Sequence, residues 1–345
     1  MTDIVRVVVV DDSAYVRKVV KQMLSRSPFI EVVGTARDGA EALELIEETN
    51  PDVVTCDLNM PAMDGVAFVR AQMARRPVPI LIISIASGSG EQVLAALDAG
   101  AVDFVQKPTA LATDRLLEIS DELIEKVKAA SRAPMQRIVA PPVTSPPLPA
   151  VAAGPTAIDI VVIGTSTGGP QALKAVVPLL PADFPVPIAM VLHMPIGYTE
   201  MYAQKLNEIT GVTVVEAKGG EAMVAGMAFL APAGRHLVFA RGDDGIVRTR
   251  LTSHPLDTPH RPAVDVLFHS AAEVYGQRVL GVVMTGMGAD GREGAAWIKA
   301  KGGRIITEAE DTCVVYGMPR SVVEAGLSDA AVPLDGLARH IMNSL

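Results

Sequence analysis

A serine stands between glycines at the point where an apolar run gives way to a helix-like segment. The stretch IGTSTGGP (163–170) follows the apolar residues 158–163 and precedes QALKAVVPLL. Flanking glycines at such a turn let Ser166 project its hydroxyl above a sheet, which is the setting of a nucleophile in acyl transfer. The same strand, turn and helix also suit a loop that holds a nucleotide cofactor. The pattern alone leaves both uses open.

Two other side chains could handle protons for Ser166. His193 ends a later apolar run, VPIAMVLH, and Asp290 lies in the glycine-rich stretch TGMGADG (285–291) after another apolar run. An imidazole can take the proton of a serine hydroxyl, and a carboxylate can orient the ring and stabilise its charged form. The three segments are far apart in the chain, so the sequence does not place them within hydrogen-bond reach.

A nucleotide cofactor is the main alternative use of residues 164–169. A dinucleotide-binding turn has the pattern G-x-G-x-x-G and an acidic residue at the end of the next strand. Here Ser166 takes the place of the second glycine, and the next strand ends in His193. Both departures count against a cofactor and favour a hydrolase.

A second group of chemistry-bearing residues follows the apolar runs of the first third of the chain. Its members are Asp11, Asp12, Asp57, Ser84 and Lys107. Because ligands bind at the carboxyl ends of parallel strands, we expect these side chains to converge. Clustered carboxylates suit Mg²⁺, and a carboxylate beside Mg²⁺ can accept a phosphoryl group. Lys107 would then pair with the phosphate, and Ser84 would donate a hydrogen bond to it.

Apolar runs and helix-like segments alternate along the chain, which favours parallel strands joined by crossover helices. In the first part the strand candidates are residues 4–10, 30–35, 52–56, 79–83 and 102–105. In the second part, strands 158–163, 186–192, 278–284 and 303–307 alternate with helices 169–180, 197–208, 262–275 and 291–301. Residues 228–251, with a turn at GDDG, resemble an antiparallel insertion. We predict an α/β fold with two doubly wound domains.

A stretch rich in proline and alanine separates the two parts. Residues 129–157 show no period, and repeated proline favours an extended, semi-rigid linker. We therefore predict a domain at 1–128, a linker at 129–157 and a second domain at 158–345.

The composition of the chain disfavours nucleic-acid binding and membrane insertion. The 345 residues carry a formal charge of -9, and residues 158–345 hold 15 Lys and Arg against 19 Asp and Glu, so we expect no nucleic-acid partner. No run approaches the roughly 20 apolar residues of a membrane span, and the first residues lack a signal-peptide pattern. We expect a cytoplasmic protein without membrane insertion.

The acidic group belongs to four motifs that resemble the response-regulator receiver domain, a flavodoxin-like fold. They are VDDS (10–13), CDLNMPAMDG (56–65), IISIASG (82–88) and DFVQKP (103–108). The resemblance implies Asp57 as phosphoacceptor and a histidine kinase as phosphodonor. It also implies Mg²⁺ bound by Asp11, Asp12 and Asp57, with Ser84 and Lys107 as phosphate sensors.

The second part resembles the protein-glutamate methylesterases of bacterial chemotaxis, the CheB family, whose catalytic domain is Rossmann-like. The motifs are IGTSTGGPQAL, HMPIGYTEMYAQKLN, FLAPAGRHL, HRPAVDVLFHSAA, VMTGMGADGREG and CVVYGMPRSVVEAG. The resemblance implies Ser166 as nucleophile, His193 as base, Asp290 as orienting acid and the backbone N–H of Met287 as oxyanion donor.

The implied reaction is hydrolysis of glutamate methyl esters on chemoreceptor signalling helices, with release of methanol and without a cofactor. Family members also deamidate receptor glutamines. The alternative is a receiver-regulated enzyme that binds a nucleotide cofactor at the 164–169 turn.

Three other side chains carry expectations of their own. We expect His236 on the surface and Trp297 in the core. Asp265 lies in the first turn of a predicted helix, where it either stabilises the helix start or contacts a receptor.

Overall fold

The chain folds as two units, residues 1–141 and 142–345. The computed structural model describes residues 4–84, 90–107, 113–135 and 157–345, without the side chains of residues 113–118. Most of the predicted linker lies outside the described residues, and the three predicted domain ranges stay predictions.

Five parallel strands form the sheet of the first unit, in the order β2-β1-β3-β4-β5. They are β1 (Val5–Val10), β2 (Ile30–Ala36), β3 (Val53–Cys56), β4 (Ile80–Ser84) and β5 (Asp103–Gln106). Every residue of β3 and β4 is buried. Continuous burial explains why these strands are apolar runs without alternation, since helices cover both faces of such a sheet.

The helices of the first unit are α1 (Ala14–Leu24), α2 (Gly39–Thr49), α3 (Gly65–Arg75), α4 (Gly90–Asp98) and α5 (Thr113–Ala130). Polar side chains cap the first three of them. The Ser13 hydroxyl accepts the N–H of Val16, and the Asp38 and Asp64 carboxylates cap α2 and α3 in the same way. Each cap satisfies N–H groups that have no partner within the helix.

Seven parallel strands form the sheet of the second unit, in the order β14-β13-β12-β6-β7-β9-β8. They are β6 (Ile160–Thr165), β7 (Ile188–Leu192), β8 (Thr213–Glu216), β9 (Met227–Leu230), β12 (Val279–Val283), β13 (Arg304–Glu308) and β14 (Ala330–Val332). The first strand, β6, lies between β7 and β12. The next three parallel strands along the chain lie on one side of β6, and the last three lie on the other side. A topological switch point therefore lies beside the end of β6.

Six helices cover the second sheet in the described part of the chain. They are α6 (Gly169–Val176), α7 (Thr199–Asn207), α8 (Val264–Tyr275), α9 (Arg292–Ala300), α10 (Met318–Glu324) and α11 (Leu334–Ser344). Val264 and Phe268 of α8 belong to the same buried cluster as Ile160 and Val162 of β6. The start of α8 packs so closely that a Cβ on Gly164 would lie 2.2 Å from Val264 Cγ1. None of the helices that the structure describes, in either unit, has the length and apolar character needed to cross a membrane.

The α/β prediction with two parallel sheets is confirmed, but the predicted insertion is too long. Among the described strands, β10 (His236–Arg241) and β11 (Val247–Thr252) form the antiparallel pair, while β9 joins the parallel sheet. The prediction also lacked β8. A strand of four residues at the edge of a sheet, such as β8, is too short to show a clear sequence pattern. Strand β9 is buried between β7 and β8 in the parallel sheet, so the nearby turn does not decide its pairing.

Two single-residue expectations are wrong. Trp297 is 47% exposed on α9, with its ring against His269. His236 is fully buried, because its ring satisfies both nitrogens with main-chain groups: Nδ1 accepts the N–H of Ala263 and Nε2 donates to the carbonyl of Pro255. A polar ring with both nitrogens bonded can be buried at low cost.

The contact between Gly164 and α8 yields a stability prediction. Gly164→Ala should lower the free energy of unfolding of the second unit by about 1–3 kcal/mol, because the added methyl group meets Val264 in a packed core. Gly336→Ala is the control, since its Cβ would make an ordinary contact in α11 and alanine favours helices. Urea denaturation measures both, and equal stability of the two variants would contradict the packing argument.

Candidate active site and acidic pocket

Three carboxylates meet at the carboxyl ends of β1 and β3. Asp11 and Asp57 follow these strands directly, and the register pairs Val10 with Cys56. One oxygen from each of Asp11, Asp12 and Asp57 lies within 4.8 Å of the others. Asp11 and Asp57 are buried and Asp12 is exposed. Oxygen ligands that converge beside solvent fit a divalent cation such as Mg²⁺.

Lys107 neutralises part of this negative charge. Its Nζ lies 2.7 Å from Asp11 Oδ2 and 3.0 Å from Asp57 Oδ2. Burial opposes its charge, but the hydrogen bond and charge of Asp11, together with Asp57, raise the pKa of Lys107. Burial also raises the pKa of Asp57, and Lys107 opposes that shift. Ser84 is buried at the end of β4, and its carbonyl accepts the N–H of Lys107, so all five predicted residues lie at one edge of the sheet.

Ser166 occupies a tight turn between β6 and α6. Its N–H donates to the carbonyl of Thr285 at 3.0 Å, and its own carbonyl accepts the N–H of Gly169 at 2.7 Å. Gly168 has a φ of +79°, in the left-handed region that glycine adopts without strain, and α6 begins at the next residue. The side chain remains partly exposed. The turn therefore holds the serine backbone rigidly beside the loop that follows β12.

His193 follows β7, the strand next to β6. The register pairs Leu192 with Thr165, so His193 and Ser166 occupy adjacent strand ends. His193 Nε2 lies 2.8 Å from Asp290 Oδ2, while the buried Nδ1 has no hydrogen-bond partner in the part of the chain that the structure describes. No hydrogen bond joins Ser166 to the ring among the described residues. The ring of His260 stacks on that of His193, with centroids 4.1 Å apart.

Asp290 is held by the start of α8 as well as by His193. Its Oδ2 also accepts the N–H of Val264 at 2.7 Å, and its Oδ1 accepts the N–H of Asp265 at 2.9 Å. Burial opposes the charged form, but the His193 hydrogen bond and charge and these two N–H donors lower the pKa of Asp290 to about 2. The carboxylate is therefore ionised near neutral pH.

Asp265, in turn, caps the neighbouring helix. Its Oδ1 accepts the N–H of Gly291 at 2.9 Å and that of Gly294 at 2.7 Å, at the start of α9. Burial, and after it the nearby charge of Asp290, raise the pKa of Asp265 to about 7. Of the two expectations for this residue, the contacts match a helix-start role, although on α9 rather than on its own helix. The sequence signal was an acid in the first turn of α8, but its target depends on how the two helices pack.

The predicted oxyanion donor lies in the loop after β12. A Cβ on Gly286 would stand 2.9 Å from Ser166 Cβ, so this loop passes directly beside the serine. Met287 is the next residue, and a Cβ on Gly317 would lie 3.1 Å from its Cα. The main chain at Met287 is thus close-packed next to the serine turn, and the role of its N–H stays a prediction.

The glycines of the 164–169 turn serve internal packing. Added Cβ atoms would lie 2.2 Å from Val264 at Gly164, 2.5 Å from Val314 at Gly168 and 2.6 Å from Leu192 at Gly169. In a cofactor-binding turn the glycines open the backbone to a pyrophosphate. Here side chains of the same unit fill that space, and the cofactor alternative is not supported.

Known proteins resemble the chain over its whole length. The family model described as CheB methylesterase matches residues 161–341, and that of the response regulator receiver domain matches residues 7–119. A Myxococcus xanthus protein named protein-glutamate methylesterase/protein-glutamine glutaminase 5 is 48% identical over 98% of each chain. A Geobacillus kaustophilus protein of the same name without the number is 44% identical, also over 98% of each. The crystal structure of the Thermotoga maritima CheB methylesterase catalytic domain is 40% identical, with a TM-score of 0.53, over 55% of this chain and 99% of that one.

The capping contacts of Asp265 can be tested by substitution. Asp265→Ala should lower the free energy of unfolding by about 1–2 kcal/mol, because two N–H groups at the start of α9 lose their acceptor. Asp265→Asn keeps an oxygen that can accept these hydrogen bonds, so its free energy of unfolding should fall much less. Chemical denaturation at pH 6 compares the two variants, and equal losses would contradict the capping role.

Proposed function

Because the chain belongs to the CheB methylesterase family and carries a response-regulator receiver domain, we propose that it is a phosphorylation-regulated protein-glutamate methylesterase. Its substrates are glutamate methyl esters on chemoreceptor signalling helices, and it also deamidates receptor glutamines. One observation carries the proposal: His193, bonded to a charged Asp290, stands at the strand end next to that of Ser166.

The roles of the two ring nitrogens follow from their partners. Asp290 accepts the proton on Nε2 of His193, so Nδ1 carries the lone pair and is the nitrogen that can receive a proton. Ser166 attacks the ester carbonyl carbon as its hydroxyl proton passes to Nδ1. Catalytic hydrogen bonds commonly form only once substrate is bound, so the absence of one in the free protein is compatible with this role. Asp290 stabilises the resulting imidazolium.

The remaining steps are those of acyl transfer. Main-chain N–H groups near Met287 stabilise the oxyanion of the tetrahedral intermediate. The imidazolium returns its proton to the leaving methoxide, methanol departs, and a Ser166 acyl-enzyme remains. Water, deprotonated by His193, then hydrolyses that ester and releases glutamate. With a glutamine side chain, ammonia leaves in place of methanol. We assign no cofactor to these steps, because His193 moves every proton, while Asp290 and the main-chain N–H groups stabilise the charges that develop.

The acidic pocket has a regulatory role in this proposal. Asp57 accepts a phosphoryl group from a histidine kinase. Asp11, Asp12 and Asp57 would hold Mg²⁺, which would supply positive charge beside the acceptor carboxylate. Lys107, already in contact with Asp11 and Asp57, pairs with the new phosphate, and Ser84 donates a hydrogen bond to it. The acyl phosphate shifts the population of the receiver domain and raises the esterase activity of the second unit.

The nucleophile is tested by methanol release from a methylated chemoreceptor. Ser166→Ala should lower kcat roughly 10³-fold or more, since no acyl-enzyme can form. Ser253→Ala, at an exposed serine of the same unit, is the matched control and should release methanol like the parent chain. Retained turnover in Ser166→Ala would remove Ser166 as the nucleophile.

The phosphorylation site is tested with acetyl phosphate and Mg²⁺. Asp57→Asn should take up no phosphate, and the donor should no longer stimulate its methanol release, because an amide cannot form the acyl phosphate. Glu44→Gln removes an exposed carboxylate of the same unit and should behave like the parent chain. Normal phosphate uptake by Asp57→Asn would place the acceptor elsewhere.

A further inference from the structure

A buried carboxyl group lies behind the loop that holds Ser166. Glu308 is the last residue of β13 and is 0% exposed. Its Oε2 accepts the N–H of Thr285 at 2.8 Å, whereas Oε1 has no hydrogen-bond partner among the described residues. A full negative charge in this place would be buried with one main-chain N–H donor, and the Thr312 and Cys313 side chains that also favour it are uncharged, so ionisation is costly.

Among the described residues, no positive charge is found in the group that shifts the pKa of Glu308. Burial raises the pKa of Glu308 to about 7, with the Thr285 N–H, Thr312 and Cys313 opposing the shift and Asp311 adding to it. On the neighbouring strands, β12 leads to the uncharged Thr285, and the register with β14 pairs Glu308 with Val332. The titratable groups that face it are Cys313 and Asp311, and none of the groups that shift its pKa is a cation.

Thr285 connects this carboxyl group to the nucleophile turn. While its N–H is bound by Glu308, its carbonyl accepts the N–H of Ser166 at 3.0 Å and the hydroxyl of Thr165 at 2.7 Å. Its own hydroxyl donates to the carbonyl of Thr167 at 2.9 Å. Ser166 and both of its neighbours in the chain are thus hydrogen-bonded to a single residue.

The segment after β13 is tied to the same loop. The N–H of Val315 donates to the Thr285 hydroxyl at 3.0 Å, and the N–H of Gly286 donates to the carbonyl of Val315. A charged Glu308 would hold the Thr285 N–H more strongly but would need water at Oε1. Room for that water comes from movement of the segment after β13, which carries Val315 and its contacts with Thr285 and Gly286. That movement loosens the loop beside Ser166.

We propose that Glu308 is a positioning residue for the esterase reaction, whose uncharged carboxyl group fixes Thr285 and thereby Ser166. Loss of its proton in mildly alkaline solution draws water to Oε1, loosens the segment that packs on Thr285 and lowers turnover. The catalytic part of this inference rests on the proposed function, while the protonation of Glu308 can be tested without substrate.

The direction in which pH changes the stability follows from the upward shift in the pKa of Glu308. A carboxyl group whose pKa rises from 4.5 in the unfolded chain to about 7 in the fold contributes stability that is fully present below pH 4.5 and is lost as the pH rises through about 7. Glu308→Gln keeps an acceptor for Thr285 and carries no charge at any pH. Its melting temperature should therefore exceed that of the parent chain at pH 8.5 by ~3 °C or more, with a smaller gap at pH 5.5.

The experiment measures thermal unfolding and methanol release by the full-length chain from pH 5.5 to pH 9. We expect kcat of the parent chain to fall at least about threefold between pH 6.5 and pH 8.5 at unchanged KM, and Glu308→Gln to lack most of this fall. Glu308→Ala, which leaves the Thr285 N–H without an acceptor, should lose kcat across the whole range. Glu310→Gln removes an exposed carboxylate two residues away and should follow the parent chain.

Parallel melting profiles of the parent chain and Glu308→Gln would overturn the inference, as would an equal alkaline loss of kcat in both. If Glu308→Gln does not fold, the infrared band of a protonated carboxylic acid decides instead. It should be present at pH 6 and absent at pH 9 in an Asp265→Asn background, which removes a second carboxyl group whose pKa rises to about 7, and it should be missing from the same background with Glu308→Ala. A parent chain that releases no methanol contradicts the proposed function and the catalytic role of Glu308 together, whereas parallel melting profiles contradict only Glu308.

Discussion

The arrangement of Ser166, His193 and Asp290 in the second unit depends on one carboxylate that is buried and still charged. Asp290 keeps its charge because its oxygens receive three hydrogen bonds, from His193 and from the first two N–H groups of α8. The partial positive charge of a helix start adds to these donors. One group therefore fixes both the tautomer of the imidazole and the position of the helix that packs on Gly164. Moving α8 would disturb the histidine, and removing the histidine would leave a buried charge less well compensated.

Three acidic side chains near this site have different pKa values because they receive different hydrogen bonds. All three are penalised by burial, but Asp290 has an imidazole and two N–H groups, and its pKa falls to about 2. Asp265 has two N–H groups yet lies beside the charge of Asp290, and Glu308 has one N–H group and no cation; the pKa of each rises to about 7. Environments that separate the pKa values of neighbouring acids also separate their roles. The ionised acid serves the imidazole, and the two others support main-chain segments around it.

The sequence predicts where chemistry-bearing residues lie along strands better than what they contact. Ser166, His193 and Asp57 each follow an apolar run, and parallel strands bring such positions to one edge, so their grouping follows from local pattern and strand order. The capping of α9 by Asp265 and the burial of His236 depend on how helices and loops pack after the strands are placed, and no local pattern encodes that. The four-residue strand β8 and the exposed Trp297 show the same limit, since tertiary context decides the environment of a short segment.

Each unit has its candidate site at the carboxyl ends of its own parallel strands. The two sites suit different chemistry because different groups compensate the charge of the carboxylates there. In the first unit a lysine ammonium contacts two buried carboxylates, and the third carboxylate faces solvent, so the pocket can hold a metal ion and then a phosphate. In the second unit an imidazole and a helix start compensate a single carboxylate, and one ring nitrogen is left to accept a proton. A lysine in place of His193 would place a positive charge beside Asp290, but its protonated amine would carry no lone pair at neutral pH. The chemistry of each edge is therefore set by the basicity of the compensating group rather than by the fold.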